Sequence, residues 1–297
     1  MAPEKHPSSR ALPWQSELIL FLIVLTVAFS VLVRSFQVWL YEPAVLTQAF
    51  TLGVVFALFV WLLRAATAAA ALTGALFTIS LYIWKWGMGT TLWCLLALFL
   101  MTFAATRFGR HRKMRLGTAE GKRGRSASQV AANLGVAVLA GIPHSFSHLF
   151  TGVSPGRVAL VAMIAAFAEA TADTLSSEIG QVIGATSPSS RNAWWRGDPF
   201  LITGFRRVPA GTDGAISLVG TLAGCAGAVA IIAVARLTLR FSPKESIIAA
   251  GAGIFGLFVD SLLGAAFERR GWLNNDAVNA LSTLAAAGCA VLLMRIF

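Results

Sequence analysis

Apolar runs of about 18 to 25 residues, broken by short polar stretches, recur along the whole chain, and each can cross a hydrocarbon core roughly 30 Å thick as a helix. Read in order, they predict spans at about 17–34, 44–63, 65–84, 89–106, 128–147, 157–180, 215–236, 246–267 and 276–295. Little more than Arg64 separates the second from the third, and Gly141 and Pro143 interrupt the fifth, so eight or ten spans fit as well as nine. No stretch alternates with period 2 as the strands of a β-barrel do. The expected fold class is all-α: a polytopic transmembrane helix bundle of about nine spans.

Composition sharpens this. With 57% hydrophobic and 12% charged residues, and a mean hydropathy of +0.72, the chain is too apolar for a soluble domain of its length. The net charge of +11 does not point to nucleic acid, because the Lys and Arg gather between spans, as orientation in a membrane requires. With the N-terminus cytoplasmic, 17 of them fall inside and seven outside, eight of the 17 lying between Arg107 and Arg125. Six tryptophans, Trp84 and Trp272 among them, lie near span ends, as interfacial aromatics do. The first apolar run is too long for a signal-peptide core and lacks a small-residue cleavage site, so a retained first span in the cell (inner) membrane is expected. Cys94, Cys225 and Cys289 lie inside apolar runs without a CxxC pattern and read as small core residues. Residues 1–120 are expected to form N-terminal spans and a basic cytoplasmic loop, and 121–297 a catalytic membrane bundle.

In this orientation the sixth and eighth spans both end at the cytoplasmic face. The stretch EATADTLSSEIG, Glu169 to Gly180, then meets the loop 181–214, the end of the eighth span and the link GWLNNDAVN there. Carboxylates in a span are costly, roughly 2.5–3.5 kcal/mol each at a helix centre, and mark candidate sites. Glu169 and Asp173 share a helix face that Ser176 and Ser177 continue, while Glu178 points elsewhere unless the helix unwinds near Gly180. Val259-Asp260-Ser261-Leu262 echoes Ala172-Asp173-Thr174-Leu175 on a helix running the same way. Asp173 and Asp260, each followed by a hydroxyl, are candidate ligands for Mg²⁺ (or Mn²⁺), which binds one or two carboxylates and completes its shell with water and phosphate oxygens.

Other polar features converge on the same face. Gly211, Thr212 and Gly214 form a turn before Ser217 and Gly220, where a helix start offers N–H groups to an anion. Gly220 and Gly224, a small-xxx-small pair, serve close helix packing equally well. Arg125, Gln129 and Asn133, four residues apart, put a cation and two amides on one stripe. Asn275 and Asn279 lie one turn apart at the last span, where Asn274 or Asn275 serves equally as an N-cap. His144 and His148 have metal-compatible spacing but lack the Glu of an HExxH motif and fall on the outer side. The sequence contains no Walker A loop, no GxSxG elbow and no recognisable nucleophile–His–acid set.

The succession GRSASQVAAN, ADTLSSEIG, RRVPAGTDGAISLVGTLAG, VDSLLGA and WLNNDAVN, spanning roughly 121–296, resembles the integral-membrane family that includes the plastidial phytyl-phosphate kinase. It is more distantly similar to the CTP-dependent dolichol kinase and phytol kinase group. The resemblance implies phosphoryl transfer from CTP or another nucleoside triphosphate to an isoprenyl phosphate lipid. By position it carries over Asp173, Glu178, Gly211, Thr212, Gly214, Ser217, Gly220, Asp260, Asn275 and Asn279. Ala172 departs from the pattern where a Gly is common, and Asp213 occupies a variable position.

Phosphoryl transfer needs mainly positioning and charge neutralisation, so the convergent residues suit it. The resulting expectation is that Asp173, Asp260, Glu178 and Arg125 are catalytic and that Asp173 and Asp260 hold the metal. Gln129, Asn133, Ser177, Arg206, Arg207, the 211–220 turn, Ser261, Asn275 and Asn279 are expected to bind nucleotide and acceptor. Expected partners are the isoprenyl phosphate, the nucleotide and membrane lipid, with a homo-oligomer allowed and no nucleic acid. The alternative is an ion-coupled membrane transporter using the same carboxylates, although such groups usually lie near the bilayer midplane.

Overall fold

The computed structural model describes residues 12–85, 87–116, 124–145, 155–183 and 198–297. The protein is an all-α membrane bundle. Its helices are α1 (Pro13–Tyr41), α2 (Pro43–Leu62), α3 (Ala68–Trp84), α4 (Leu92–Arg107), α5 (Arg110–Leu116), α6 (Ala127–Ser145), α7 (Pro155–Ile183), α8 (Leu218–Leu239), α9 (Pro243–Ala266) and α10 (Asn275–Ile296). Two short strands, β1 (Phe200–Leu201) and β2 (Ala215–Ile216), pair antiparallel before α8. Among the described residues, α1, α2 and α7 to α10 are long and apolar enough to cross a membrane, and α3, α4 and α6 are shorter apolar helices. The short α5 and the hairpin were not marked by apolar periodicity; both lie in polar links.

Alanine and glycine dominate the helix contacts, which lets backbones approach closely, as helices in lipid require. The central helix α7 is buried along most of its length, and alanines make up most of its AAFAEATA segment. Around it pack α4, α6, α8, α9 and α10. A β-carbon on Gly220 would stand 2.7 Å from the Ser176 carbonyl, one on Gly224 2.7 Å from the Ala172 carbonyl, and one on Gly227 3.2 Å from Thr171. These pairs run in opposite directions, so α7 and α8 are antiparallel at near-contact distance. Gly253 against Ala168 and Gly256 against Glu169 run the same way, so α9 lies parallel to α7. Arg157 at the start of α7 pairs with Glu245 at the start of α9, and it donates to the Leu239 and Arg240 carbonyls at the end of α8.

The opposite face brings together the ends of α7 and α9 with the starts of α6, α8 and α10. The start of α1 joins them. Gln15 donates to the Trp272 carbonyl at 3.0 Å and accepts from the Asn274 N–H at 2.9 Å, and Ser16 donates to Asp276 at 2.6 Å.

Candidate functional site

On that face a polar cavity of about 360 Å³ opens between α6, α7, α9, α10 and the 210–217 turn. Of the residues expected to act, Arg125, Gln129, Asn133, Asp173, Ser177 and Glu178 line it from α6 and α7. Gly211, Thr212, Gly214 and Ser217 line it from the turn, and Asp260, Ser261, Asn275 and Asn279 from α9 and α10.

The carboxylates are set by helix register. One chain offset separates Glu169 from Gly256 and Asp173 from Asp260, so the in-register parallel pair α7 and α9 carries the two aspartates side by side, within hydrogen-bonding reach of each other. Ser282 of α10 donates to Asp260 at 3.3 Å. Arg125 donates to Thr174 at 3.4 Å and places its charge beside Asp173. Glu169, one turn deeper, is 1% exposed and does not line the cavity; one of its oxygens has no hydrogen-bond partner.

Two anions held so close call for a positive charge or a shared proton between them. The donor set suits a hard cation: two carboxylates, neighbouring hydroxyls and amides, and space for water and phosphate oxygens. Among the described residues, no group of three or more His, Cys, Asp or Glu side chains is arranged to hold an ion. The side chains of His144 and His148 lie outside the described residues.

The turn is built for close approach. Gly211 and Gly214 have φ of +87° and +70°, and a β-carbon on Gly214 would stand 2.0 Å from the Ala265 nitrogen. The loop thus lies directly on the end of α9. Thr212 closes the turn by donating to the Pro209 carbonyl at 2.7 Å. Ser217 caps α8, accepting from the Gly220 N–H at 3.1 Å, which satisfies one of the unpaired amides at the helix start.

Several side chains sit differently from their sequence reading. Gln129 and Ser126 form a reciprocal capping box at the start of α6, with Gln129 Oε1 accepting from the Ser126 N–H at 2.8 Å. Asn133 donates to the Gln129 carbonyl at 2.8 Å. Asn274 is the N-cap of α10, accepting from the Ala277 N–H, which leaves Asn275 and Asn279 on the cavity wall. Gly220 does not line the cavity; it lets α8 close on α7. Arg206 and Arg207 do not line it either. Both are exposed in the β1–β2 hairpin, where Arg207 pairs with Asp198 at 3.2 Å.

Glu178 lines the cavity but already has a cation. Lys113 of α5, 1% exposed, bonds Glu178 at 2.5 Å and also donates to the Ala105 and Thr106 carbonyls at the end of α4. Lys113 was hidden among the basic residues that set orientation. Glu268, on the 3-10 turn after α9, was also missed and lines the cavity. Its signal was present: Asp260, Gly264 and Glu268 repeat at helical spacing on one face.

Residues 51–287 match the family described as integral membrane protein DUF92. An uncharacterized membrane protein of Methanocaldococcus jannaschii is 40% identical over 135 residues, covering 46% of this chain and 51% of that protein. The chloroplastic protein VTE6 of Arabidopsis thaliana is 30% identical over 212 residues, covering 67% of this chain and 57% of VTE6. An uncharacterized membrane protein of Synechocystis sp. is 29% identical over 218 residues, covering 69% and 78%. The chain spans little more than half the length of the first two of these relatives. No solved structure matches it.

Proposed function

From the premise that the chain belongs to the integral membrane protein DUF92 family, we propose that it is a lipid kinase transferring a phosphoryl group from CTP or another nucleoside triphosphate to an isoprenyl monophosphate. The kinship expected with the family of the plastidial phytyl-phosphate kinase, seen in the match to VTE6, supports this reading. The observation that carries it is the side-by-side pair Asp173 and Asp260, set in one cavity with a glycine turn, three asparagines and an arginine. We assign that cavity to the cytoplasmic face on the excess of Lys and Arg there.

In this reading Asp173 and Asp260 would hold Mg²⁺ (or Mn²⁺), which when bound neutralises charge on the nucleotide phosphates. The turn 211–214 receives the nucleotide phosphates through backbone N–H groups, and Asn275 and Asn279 orient them from α10. Arg125 and Asn133 orient the acceptor phosphate. Its oxygen forms the new bond to the γ-phosphorus as the bond to the β-phosphate oxygen breaks, giving the isoprenyl diphosphate and a nucleoside diphosphate. An acceptor that is already a dianion needs no general base.

The test is transfer of label from γ-labelled CTP, ATP and GTP to prenyl alcohols and monophosphates by purified protein in detergent. Formation of labelled diphosphate with dependence on added divalent cation is expected. Absence of transfer with every donor and acceptor, together with flux across proteoliposomes, would favour the carrier instead.

A further inference from the structure

A second cavity, of about 440 Å³, lies beside the first between α2, α3, α4 and α6. Its walls are apolar, with Phe56, Ala70, Gly74, Leu98, Phe99 and Leu134 among them. Its rim is not: Arg64, Arg107, Arg110 and Arg125 form a collar on the face where the polar cavity opens. The two cavities share Arg125 and Asn133 as a common wall. Arg125 is fixed in this partition by its backbone, which bonds Ala65 and Thr67 in the α2–α3 link at 3.0 Å each. Gly124 makes that approach possible, with φ of +72° and no space for a β-carbon beside Ala65. Arg107 is held at the rim by the Leu63 carbonyl, at 2.8 Å, and by stacking 4.1 Å above Phe103.

We infer that this cavity is the seat of the acceptor lipid's hydrocarbon chain, with the arginine collar gripping its single phosphate at the edge of the polar site. The inference rests on the kinase reading for its chemistry and adds a subsite contributed by the N-terminal helices. Charge complementarity selects the headgroup: four guanidinium groups around an apolar hole suit a phosphate monoester on a hydrocarbon stem. The apolar walls, Phe56, Leu98 and Phe99 among them, receive the hydrocarbon stem. The neck at Arg125 and Asn133 then sets the acceptor phosphate against Asp173 and Thr174 while the chain stays in the dry compartment.

Photolabelling tests this without relying on turnover. A diazirine-bearing farnesyl monophosphate is cross-linked to the full chain in nanodiscs and the adducts are mapped. Adducts on α3 and α4 around Gly74, Leu98 and Phe99, competed by farnesyl or geranylgeranyl phosphate and not by inorganic phosphate or phosphatidic acid, are expected. Gly74→Leu, which fills the cavity, should weaken labelling at least tenfold and shift competition toward shorter prenyl phosphates. Leu98→Ala should shift it toward longer ones. Leu72→Phe, on the lipid-facing side of α3, should do neither. Adducts elsewhere, equal competition by phosphatidic acid, or no difference between Gly74→Leu and Leu72→Phe overturns the inference. Labelling at the cavity by a protein that transfers no phosphate sinks the kinase reading and leaves the lipid seat standing. Transfer with adducts elsewhere does the reverse.

Discussion

Lys113 Nζ lies 2.5 Å from Glu178 Oε2, and this ion pair, beside the packing of Gly109 on Val182, fastens the basic link after α4 to the end of the central helix. Three acceptors surround the ammonium, so a buried lysine is satisfied where only a solvated loop was expected. Glu178 therefore acts first as an anchor for the cavity wall.

Removing one partner of a buried pair leaves the other charge stranded. Lys113→Met is expected to destabilise the folded protein by about 3 kcal/mol, and Lys113→Met with Glu178→Leu to recover part of that. Thermal unfolding in detergent checks it; a single variant as stable as the parent would show that the pair does not hold α5.

Asp173 and Asp260 are expected to be separately indispensable to transfer. Asp173→Asn and Asp260→Asn should each lower the rate by about 100-fold or more, since removing one preordered electrostatic contact at a reacting phosphate costs on that scale. Melting temperatures should hold or rise, because each change relieves the repulsion between neighbouring carboxylates. Retention of full cation-dependent transfer in either variant would remove that residue from the site.

Glu169 tests how far the site extends. It is buried below the cavity, not on its wall. Glu169→Gln is expected to keep transfer within about threefold, since a group that touches no reacting atom leaves the differential binding of the transition state intact. A loss comparable to that of Asp173→Asn would extend the functional cluster one turn toward the bilayer centre and revive the carrier reading.

The two glycine roles separate by measurement. Gly214→Ala pushes a methyl into the backbone at the end of α9, and the displaced turn should raise the KM for nucleotide about tenfold, a loss of roughly 1.4 kcal/mol. Gly220→Ala meets the Ser176 carbonyl instead and should cost about 1–3 kcal/mol of stability through overpacking, with KM for nucleotide unchanged. Steady-state kinetics beside thermal melts distinguishes them, and identical profiles would contradict the division.

Much of this architecture is readable from apolar run length, because lipid leaves the backbone few choices. The nearness of Asp173 and Asp260 was legible too: the short echo ADTL and VDSL coincides with the register in which α7 and α9 lie side by side. Double uses of side chains were less visible. Gln129 reads as a polar stripe residue, but the Ser126-x-x-Gln129 spacing also spells a capping box, and both are true of it. Lys113 was invisible because one buried cation cannot be told from its neighbours by charge counting. Arg206 and Arg207 misled for the opposite reason: proximity in sequence to the glycine turn carried no information about the hairpin that turns them outward.

The bonds from Gln15 and Ser16 to Trp272, Asn274 and Asp276 join the first helix of the chain to the last. During synthesis, α1 emerges long before α10 exists, and its polar first turn must wait at the membrane surface until the final hairpin inserts. The clasp between α1 and α10 therefore forms only after Asp276 has been made, and until then Gln15 and Ser16 face the membrane surface without these partners.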